Sequence, residues 1–350
     1  MAFLPLDPTD ASHTPWLFRF QRGERIAVVD LGTNVFGLVV GTLGPDGIPH
    51  WHHRADIEVG LAMDGFGILT QETQHRAESA LQKHTQEAIS MGATALFGFG
   101  TSALRQWNGA DAWLNQNSDR LSQVEFHGKR IPCQLQTLSG ELEADTIRYG
   151  LEASGLLNDG PVLINDIGGG SIELVVCQGA TVYHSVSLPL GMRRLLREFP
   201  ISREPISREP ISLQEGPNNP YKQAFDSCYD FLRNRFQNEL REVLLKYPPK
   251  YLLGTAGPYL TLERWVQAYQ PQAGRPSGLG LDQELCRAFG AAATQTLLEE
   301  HPPMHPLATD AIVHASALIL ALSDTAQGLP IRVTDLSLRE GALLRFFGPS

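Results

Sequence analysis

Asp166-Ile167-Gly168-Gly169-Gly170-Ser171-Ile172-Glu173-Leu174 follows the apolar run Val162-Leu163-Ile164, with only Asn165 between them, and continues into Val175-Val176. Apolar runs on both sides of a glycine cluster predict a strand, a tight turn and a returning strand. Three successive glycines remove every Cβ from that turn. Backbone N–H groups can then approach an anion closely, and the chain can reach φ values that other residues resist. Gly168, Gly169, Gly170 and Ser171 are thus a candidate phosphate cradle. Asp166 enters the turn and Glu173 leaves it, two carboxylates suited to Mg²⁺, because hard cations take oxygen ligands. Taken alone, the same residues also read as a glycine-rich hairpin with surface acids.

A second stretch repeats the idea. Ile26-Ala27-Val28-Val29-Asp30-Leu31-Gly32-Thr33-Asn34 is again an apolar strand ending in Asp-x-Gly, and Phe36 to Val40 supply the returning strand. Two such hairpins, well separated, suggest a duplicated α/β architecture that grips a phosphate between its halves.

The 350 residues, 42% apolar and 19% charged, suit a soluble globular protein of two ordinary domains. A formal charge of −10 offers no basic field for nucleic acid or an anionic membrane, so neither is an expected partner. A polyanionic substrate would have to be held locally. Cys133, Cys177, Cys228 and Cys286 form no C-x-x-C pair, which argues against a zinc site or a disulfide framework and for reduced thiols in the cytoplasm. The N-terminus lacks the apolar core of a signal peptide, and no stretch approaches the roughly 20 apolar residues that span a membrane. Residues 1–22 read as an extension that docks through Trp16, Phe18 and Phe20 or does not dock at all.

Along the chain, His50-Trp51-His52-His53 has no carboxylate or cysteine at ligand spacing and reads as a solvated strand. Thr70 is a good N-cap for a helix whose inner face holds Ala77, Leu81, His84 and Ala88, with Gly92 closing it. The short strand from Thr94 to Gly98 then delivers Arg105 beyond its carboxyl end, where open α/β sheets bind ligands and a guanidinium can meet a phosphate. Ser139 starts another helix carrying Glu141 and Glu143. Two residues apart, they do not share a face, so at most one can point into a site. Residues 200–217 hold Ile-Ser-Arg-Glu-Pro twice, a proline spacing that excludes regular helix and central strand and predicts a loop insertion. Helical spacing returns at Phe225, Cys228, Leu232, Phe236 and Leu240. A third strand and glycine turn follow at Tyr251 to Gly257, then helices around 285–298 and 311–322 and, over Val333 to Leu344, a turn leading into a final helix.

Taken together, "VVDLGTN", "GTSALRQWNG", "LSGELEADTIRYG", "VLINDIGGGSIELVV", "SLPLGMRRL", "LLGTAGPYLTL" and "DLSLREGALL" resemble the Ppx/GppA family of exopolyphosphatases and guanosine pentaphosphate phosphohydrolases, in that family's order from Ile26 to Leu344. The resemblance implies two ribonuclease-H-like domains around a central cleft. They would be domain I at 23–138 plus 330–350 and domain II at 139–329. It further implies that Asp30, Gly32, Thr33 and Asn34 form the first phosphate loop and Gly168 to Ser171 the second. Asp166 and Glu173 would hold Mg²⁺, with Mn²⁺ as the other candidate. Arg105 falls on the arginine beside the phosphates and Glu143 on the general base that activates water. A short two-domain form and a homodimer are expected. Phosphoanhydride hydrolysis needs charge neutralisation and an aligned water more than a covalent nucleophile, so this set suffices chemically.

Three positions depart from the family pattern. Asp145, Glu58 and Ala308 stand where arginine is common, which implies a weaker hold on long polyphosphate. The expected reaction is Mg²⁺-dependent removal of terminal phosphate from inorganic polyphosphate. Guanosine pentaphosphate is the alternative substrate. A kinase or ATP-binding chaperone of the same superfamily and a non-catalytic binder of polyphosphate or guanosine tetraphosphate are the competing classes.

Overall fold

The computed structural model describes residues 20–63, 65–201, 220–255, 257–269 and 306–348. The chain divides into two units, Met1–Leu156 with Leu336–Ser350 and Leu157–Asp335. The helix expected around 285–298, Cys286, most of the expected insertion at 200–217, and Trp16 and Phe18 of the extension lie outside the described residues.

The first unit holds strands β1 (Ile26–Leu31), β2 (Val35–Leu43), β3 (Pro49–Glu58), β4 (Leu96–Gly100) and β5 (Cys133–Thr137). Their order across the sheet is β3-β2-β1-β4-β5. β1 runs antiparallel to β2 and parallel to β4, and β4 runs parallel to β5. β1, β2 and β4 are buried almost throughout, as strands covered on both faces should be, whereas β3, on the edge, mixes exposed and half-buried positions. The four residues His50–His53 lie in that edge strand, and Glu58 closes it, exposed.

Helices α1 (Gln71–Ser90) and α3 (Ala110–Ser122) pack Ala77, Leu81, Ala88, Trp113, Leu114 and Leu121 against Ala27, Val29 and Leu31. Thr70 caps α1 as expected, accepting from the Thr73 N–H. Beyond β4 comes the short α2 (Ser102–Arg105). From the chain's end, Phe346 stacks on Phe97 at 4.1 Å and on Phe99 at 6.3 Å, alternate residues of β4. Phe20 closes the same cluster edge-on and donates its N–H to the Phe346 carbonyl at 3.0 Å. Phe20 therefore docks.

The second unit repeats the plan with β6 (Val162–Ile167), β7 (Ile172–Gln178), β8 (Thr181–Leu188), β9 (Tyr251–Thr255) and β10 (Ile331–Val333), ordered β10-β9-β6-β7-β8. β6 runs antiparallel to β7 and parallel to β9, so it plays the part that β1 plays in the first sheet. The two five-stranded sheets thus share one ribonuclease-H-like strand order. Helices α5 (Met192–Glu198), α6 (Pro220–Lys246), α7 (Gly257–Tyr269) and α8 (Pro306–Thr325) accompany them. The α6 residues Phe225, Cys228, Leu232, Phe236 and Leu240 are all buried against α8, from Ile312 to Leu322.

The division of the chain differs from the expected one at both joins. Helix α4 (Gly140–Ala153), assigned from the sequence to the second domain, belongs to the first unit. It packs on α9 (Leu338–Arg345) so closely that a Cβ on Gly341 would stand 2.2 Å from the Thr146 carbonyl oxygen and one on Gly150 2.6 Å from the Gly341 Cα. At the other join, residues 330–335 belong to the second unit, because Ile331 to Val333 pair with Leu252 to Gly254.

Asp145, at a position where arginine was expected, ties the two helices together by accepting from Arg345 of α9 and from Arg148 Nε at 3.0 Å. Burial alone would raise its carboxyl, but Arg345 and Arg148 outweigh that and hold it below the usual value. A folded-state value below the unfolded ~3.9 gives stabilisation that is complete above that pH and is lost as pH falls through the folded value. We expect D145N to be less stable than the parent near neutral pH and the gap to close in acid. Urea midpoints at pH 7 and pH 3 check this, and an equal gap at both would contradict it.

Cys133, Cys177 and Cys228 are buried. Burial pushes the thiols of Cys133 and Cys228 up to about 12, as suits unreactive core side chains. No described helix is long and apolar enough to cross a membrane.

Candidate active site

In the first unit, three neighbouring parallel strands end side by side. Leu31 of β1 pairs in register with Gly100 of β4, and Gly100 pairs with Thr137 of β5. The chain leaves each strand carrying a candidate residue. β1 gives Asp30 and the turn Gly32-Thr33-Asn34, β4 gives α2 with Arg105, and β5 gives Leu138 and the start of α4 with Glu143. This is the carboxyl edge where open α/β sheets place their ligands.

Arg105 Nη1 donates to Glu143 Oε2 and, at 3.0 Å, to the Leu138 carbonyl. Ser139 caps α4 by accepting from the Leu142 N–H at 3.1 Å, which puts Glu143 in the first turn, where the helix favours a negative charge. Of the two candidate glutamates, Glu143 is 6% exposed while Glu141 faces solvent. In the adjacent turn Thr33 is buried, and the Asn34 carbonyl accepts from the Val59 and Gly60 N–H groups at 2.9 Å each. A Cβ on Gly32 would meet the Val35 carbonyl oxygen at 2.7 Å, so glycine is required there by space.

The sequence did not single out Arg339 for this region. Gly37, the register partner of Asp30, has its missing side chain replaced by that guanidinium, since a Cβ there would lie 2.3 Å from Arg339 Nη1. Arg339 donates to Asp56 at 2.5 Å and to the fully buried Glu340 at 3.2 Å. Burial alone would lower its pKa, but Glu340, Asp56 and Asp30 together raise it, and Glu340 also pairs with Arg54 Nε at 3.2 Å. The available signal was a glycine inside a strand, which marks close approach by another group.

In the second unit, Asp166 and Glu173 are cross-strand partners of β6 and β7, so their carboxylates stand on one face of the sheet. Glu173 is 2% exposed, and its Oε1 accepts from Ser171 Oγ at 2.9 Å and Ser187 Oγ at 2.8 Å. Asp166 Oδ2 accepts from the hydroxyl of Thr255, its neighbour on β9. Two carboxylates and three hydroxyls make an all-oxygen donor set, which fits a hard divalent cation. Among the described residues no group of three or more His, Cys, Asp or Glu side chains gathers around a possible metal. Ser187 and Thr255, which the sequence did not single out, and Ser171, expected in the phosphate loop, complete the donor set here.

One part of the expected reason for the three glycines, access to unusual φ values, does not hold. None of Gly168, Gly169 and Gly170 lies in the left-handed φ region. At Gly168 glycine supplies room, since a Cβ there would meet the Ser171 carbonyl oxygen at 3.0 Å. The backbone of Gly169 and Gly170 makes glycine necessary at Gly191, where a Cβ would come within 2.4 Å of the Gly170 nitrogen. Gly32 and Gly168 therefore do the same job in the two units, each beneath the carbonyl three residues on.

Two copies of one sheet plan, each with an Asp-x-Gly turn at the end of its central strand, define a duplicated α/β protein. The family model described as the Ppx/GppA phosphatase family matches residues 53–347. The chain belongs to that family and is a phosphoanhydride hydrolase. Similar proteins include exopolyphosphatase 1 of Mycobacterium leprae, 25% identical over 326 residues, or 92% of this chain and 89% of that one. Exopolyphosphatase 1 of Mycobacterium tuberculosis H37Rv is 26% identical over 332 residues, or 92% and 88%. Among solved structures, an exopolyphosphatase from Cytophaga hutchinsonii has a TM-score of 0.69 at 22% identity, covering 91% of this chain and 96% of that one. The Aquifex aeolicus member of the Ppx/GppA family has a TM-score of 0.68 at 19% identity, covering 92% and 96%. At these identities the structures bear on the fold alone.

Proposed function

We propose that this protein removes terminal phosphate from inorganic polyphosphate by attack of water on a phosphoanhydride bond, with Glu143 as the general base. The observation that carries this reading is the Arg105–Glu143 pair, built at the ends of adjacent strands from residues far apart in sequence. A carboxylate has about four lone-pair positions, so Glu143 can take one bond from Arg105 and still accept a proton from water. Arg105 in turn fixes that carboxylate and supplies positive charge beside the phosphate. Support for the substrate comes from the exopolyphosphatase relatives, which match over most of both chains. The N–H groups of the two Asp-x-Gly turns bind phosphate oxygens in this scheme.

Asp166 and Glu173 would hold Mg²⁺, and when bound the ion would neutralise negative charge on the phosphates. We expect E173A to need a several-fold higher Mg²⁺ concentration for half-maximal phosphate release. A Mg²⁺ titration of both proteins checks this, and identical curves would leave Glu173 with only its hydrogen bonds to Ser171 and Ser187. The reading as a whole is tested by phosphate release from short polyphosphate, long polyphosphate and guanosine pentaphosphate, measured side by side with and without Mg²⁺. Release from guanosine pentaphosphate alone would overturn the substrate assignment, and release from none of the three would overturn the reaction.

A further inference from the structure

The start of α5 holds the triple-glycine turn from behind. Three successive residues of α5 each take one carbonyl of three successive glycines. The Met192 N–H donates to the Gly168 oxygen at 3.0 Å, the Arg193 N–H to the Gly169 oxygen at 2.8 Å, and Arg194 Nε to the Gly170 oxygen at 3.2 Å. In a trans peptide the C=O and the following N–H point in opposite directions. With all three carbonyls turned toward α5, the N–H groups of Gly169, Gly170 and Ser171 are aimed the other way, as a set. The first two bonds are backbone to backbone. The third depends on one side chain, at the last of the three peptides. Gly191 completes the arrangement, because a Cβ there would come within 2.5 Å of Gly169 and Gly170 backbone atoms.

We infer that Arg194 is a positioning residue for the second phosphate loop, and that its bond to the Gly170 carbonyl presets the orientation in which the loop's N–H groups receive phosphate. The inference rests on the phosphate-binding role proposed for that loop. Arg194 acts on the substrate only through the backbone. A preset donor array binds phosphate without first losing the entropy of ordering the loop, so removing the preset weakens ground-state binding more than it slows the chemical step.

The test compares R194A, R194K and R197A with the parent, using tripolyphosphate hydrolysis at saturating Mg²⁺, tripolyphosphate binding by calorimetry, and thermal melts. R194A should raise KM roughly ten- to hundredfold, with kcat within about threefold. R194K, which keeps a cationic donor, should recover most of that loss. Arg197 is exposed one turn on, and its loss removes the same charge, so R197A should keep KM within about twofold. A KM for R194A within about twofold of the parent overturns the inference, and so does an equal rise in R194A and R197A, which would point to charge alone. Should R194A fail to fold, R194K against R197A carries the test: a KM for R194K above that of R197A supports the positioning role, because lysine keeps the charge but not the Nε bond, and a KM for R194K no higher than that of R197A overturns it. A parent protein that neither hydrolyses nor binds tripolyphosphate would remove the phosphate-loop reading itself, and this inference with it.

Discussion

Replacing Glu143 by glutamine should lower kcat on tripolyphosphate by about 10²–10⁴-fold, while KM stays within a few-fold. The amide keeps the shape of the side chain and still offers an oxygen to Arg105, so the pair that fixes α2 against the start of α4 survives. It cannot take a proton from water. KM should not rise, because removing a negative charge beside a polyanion cannot weaken their attraction. The competing account makes Glu143 an ordinary acid at a helix N-terminus, stabilised by about 0.3–1 kcal/mol. On that account turnover barely changes and only the melting temperature moves. Steady-state constants at saturating Mg²⁺, with a thermal melt on the same preparations, separate the two. A fall in kcat of less than about tenfold would exclude Glu143 as the principal base.

Gly341→Ala should have the largest effect on stability. The added Cβ would lie 2.2 Å from the Thr146 carbonyl oxygen, and the obstacle is helix backbone, which has no rotamer to change. Helices α4 and α9 must move apart, at a cost of about 1–3 kcal/mol for an overpacked contact and more where backbone itself is displaced. Activity should fall further than stability, since α4 carries Glu143 and a displacement of about 1 Å in a catalytic group can lower the rate on the order of 10²-fold. Trp107 and Trp113, packed edge-to-face at 6.2 Å in the same unit, give a fluorescence signal for a denaturant melt. An unchanged midpoint with unchanged kcat would mean that the helices accommodate the methyl group by sliding, and that their contact does not fix Glu143.

What the sequence disclosed was whatever is short in range. Thr70 and the Ala77, Leu81, His84, Ala88 spacing placed α1, and the spacing of Phe225 to Leu240 placed the buried face of α6. Each Asp-x-Gly turn betrayed its hairpin, because strand, turn and returning strand are neighbours in the chain. The assignment of α4 failed for the opposite reason. Its periodicity shows a buried face, but what it is buried against is a glycine nearly 200 residues on, and no local pattern names a distant partner. Arg339 and Thr255 escaped for the same cause, since each reaches its carboxylate across strands that are remote in sequence. The glycines misled in a subtler way. Gly168 to Gly170 looked in part like a conformational requirement, yet none of them takes a left-handed φ, and the crowding of α5 against the turn falls on Gly191.

The return of α9 to the first unit imposes an order on biosynthesis. Chains emerge from the ribosome N-terminus first, and domains ordinarily fold as they emerge. Here the strands of the first sheet leave early, but Gly341, which seats α4, and Phe346, which covers Phe97 and Phe99, come only after all of Leu157–Asp335. The second unit is contiguous and can close on its own core while the first still waits for its last helix. The first unit, holding Arg105 and Glu143, is therefore the later one to be completed, and a chain that stops before residue 336 carries every proposed catalytic side chain without the helix that seats α4.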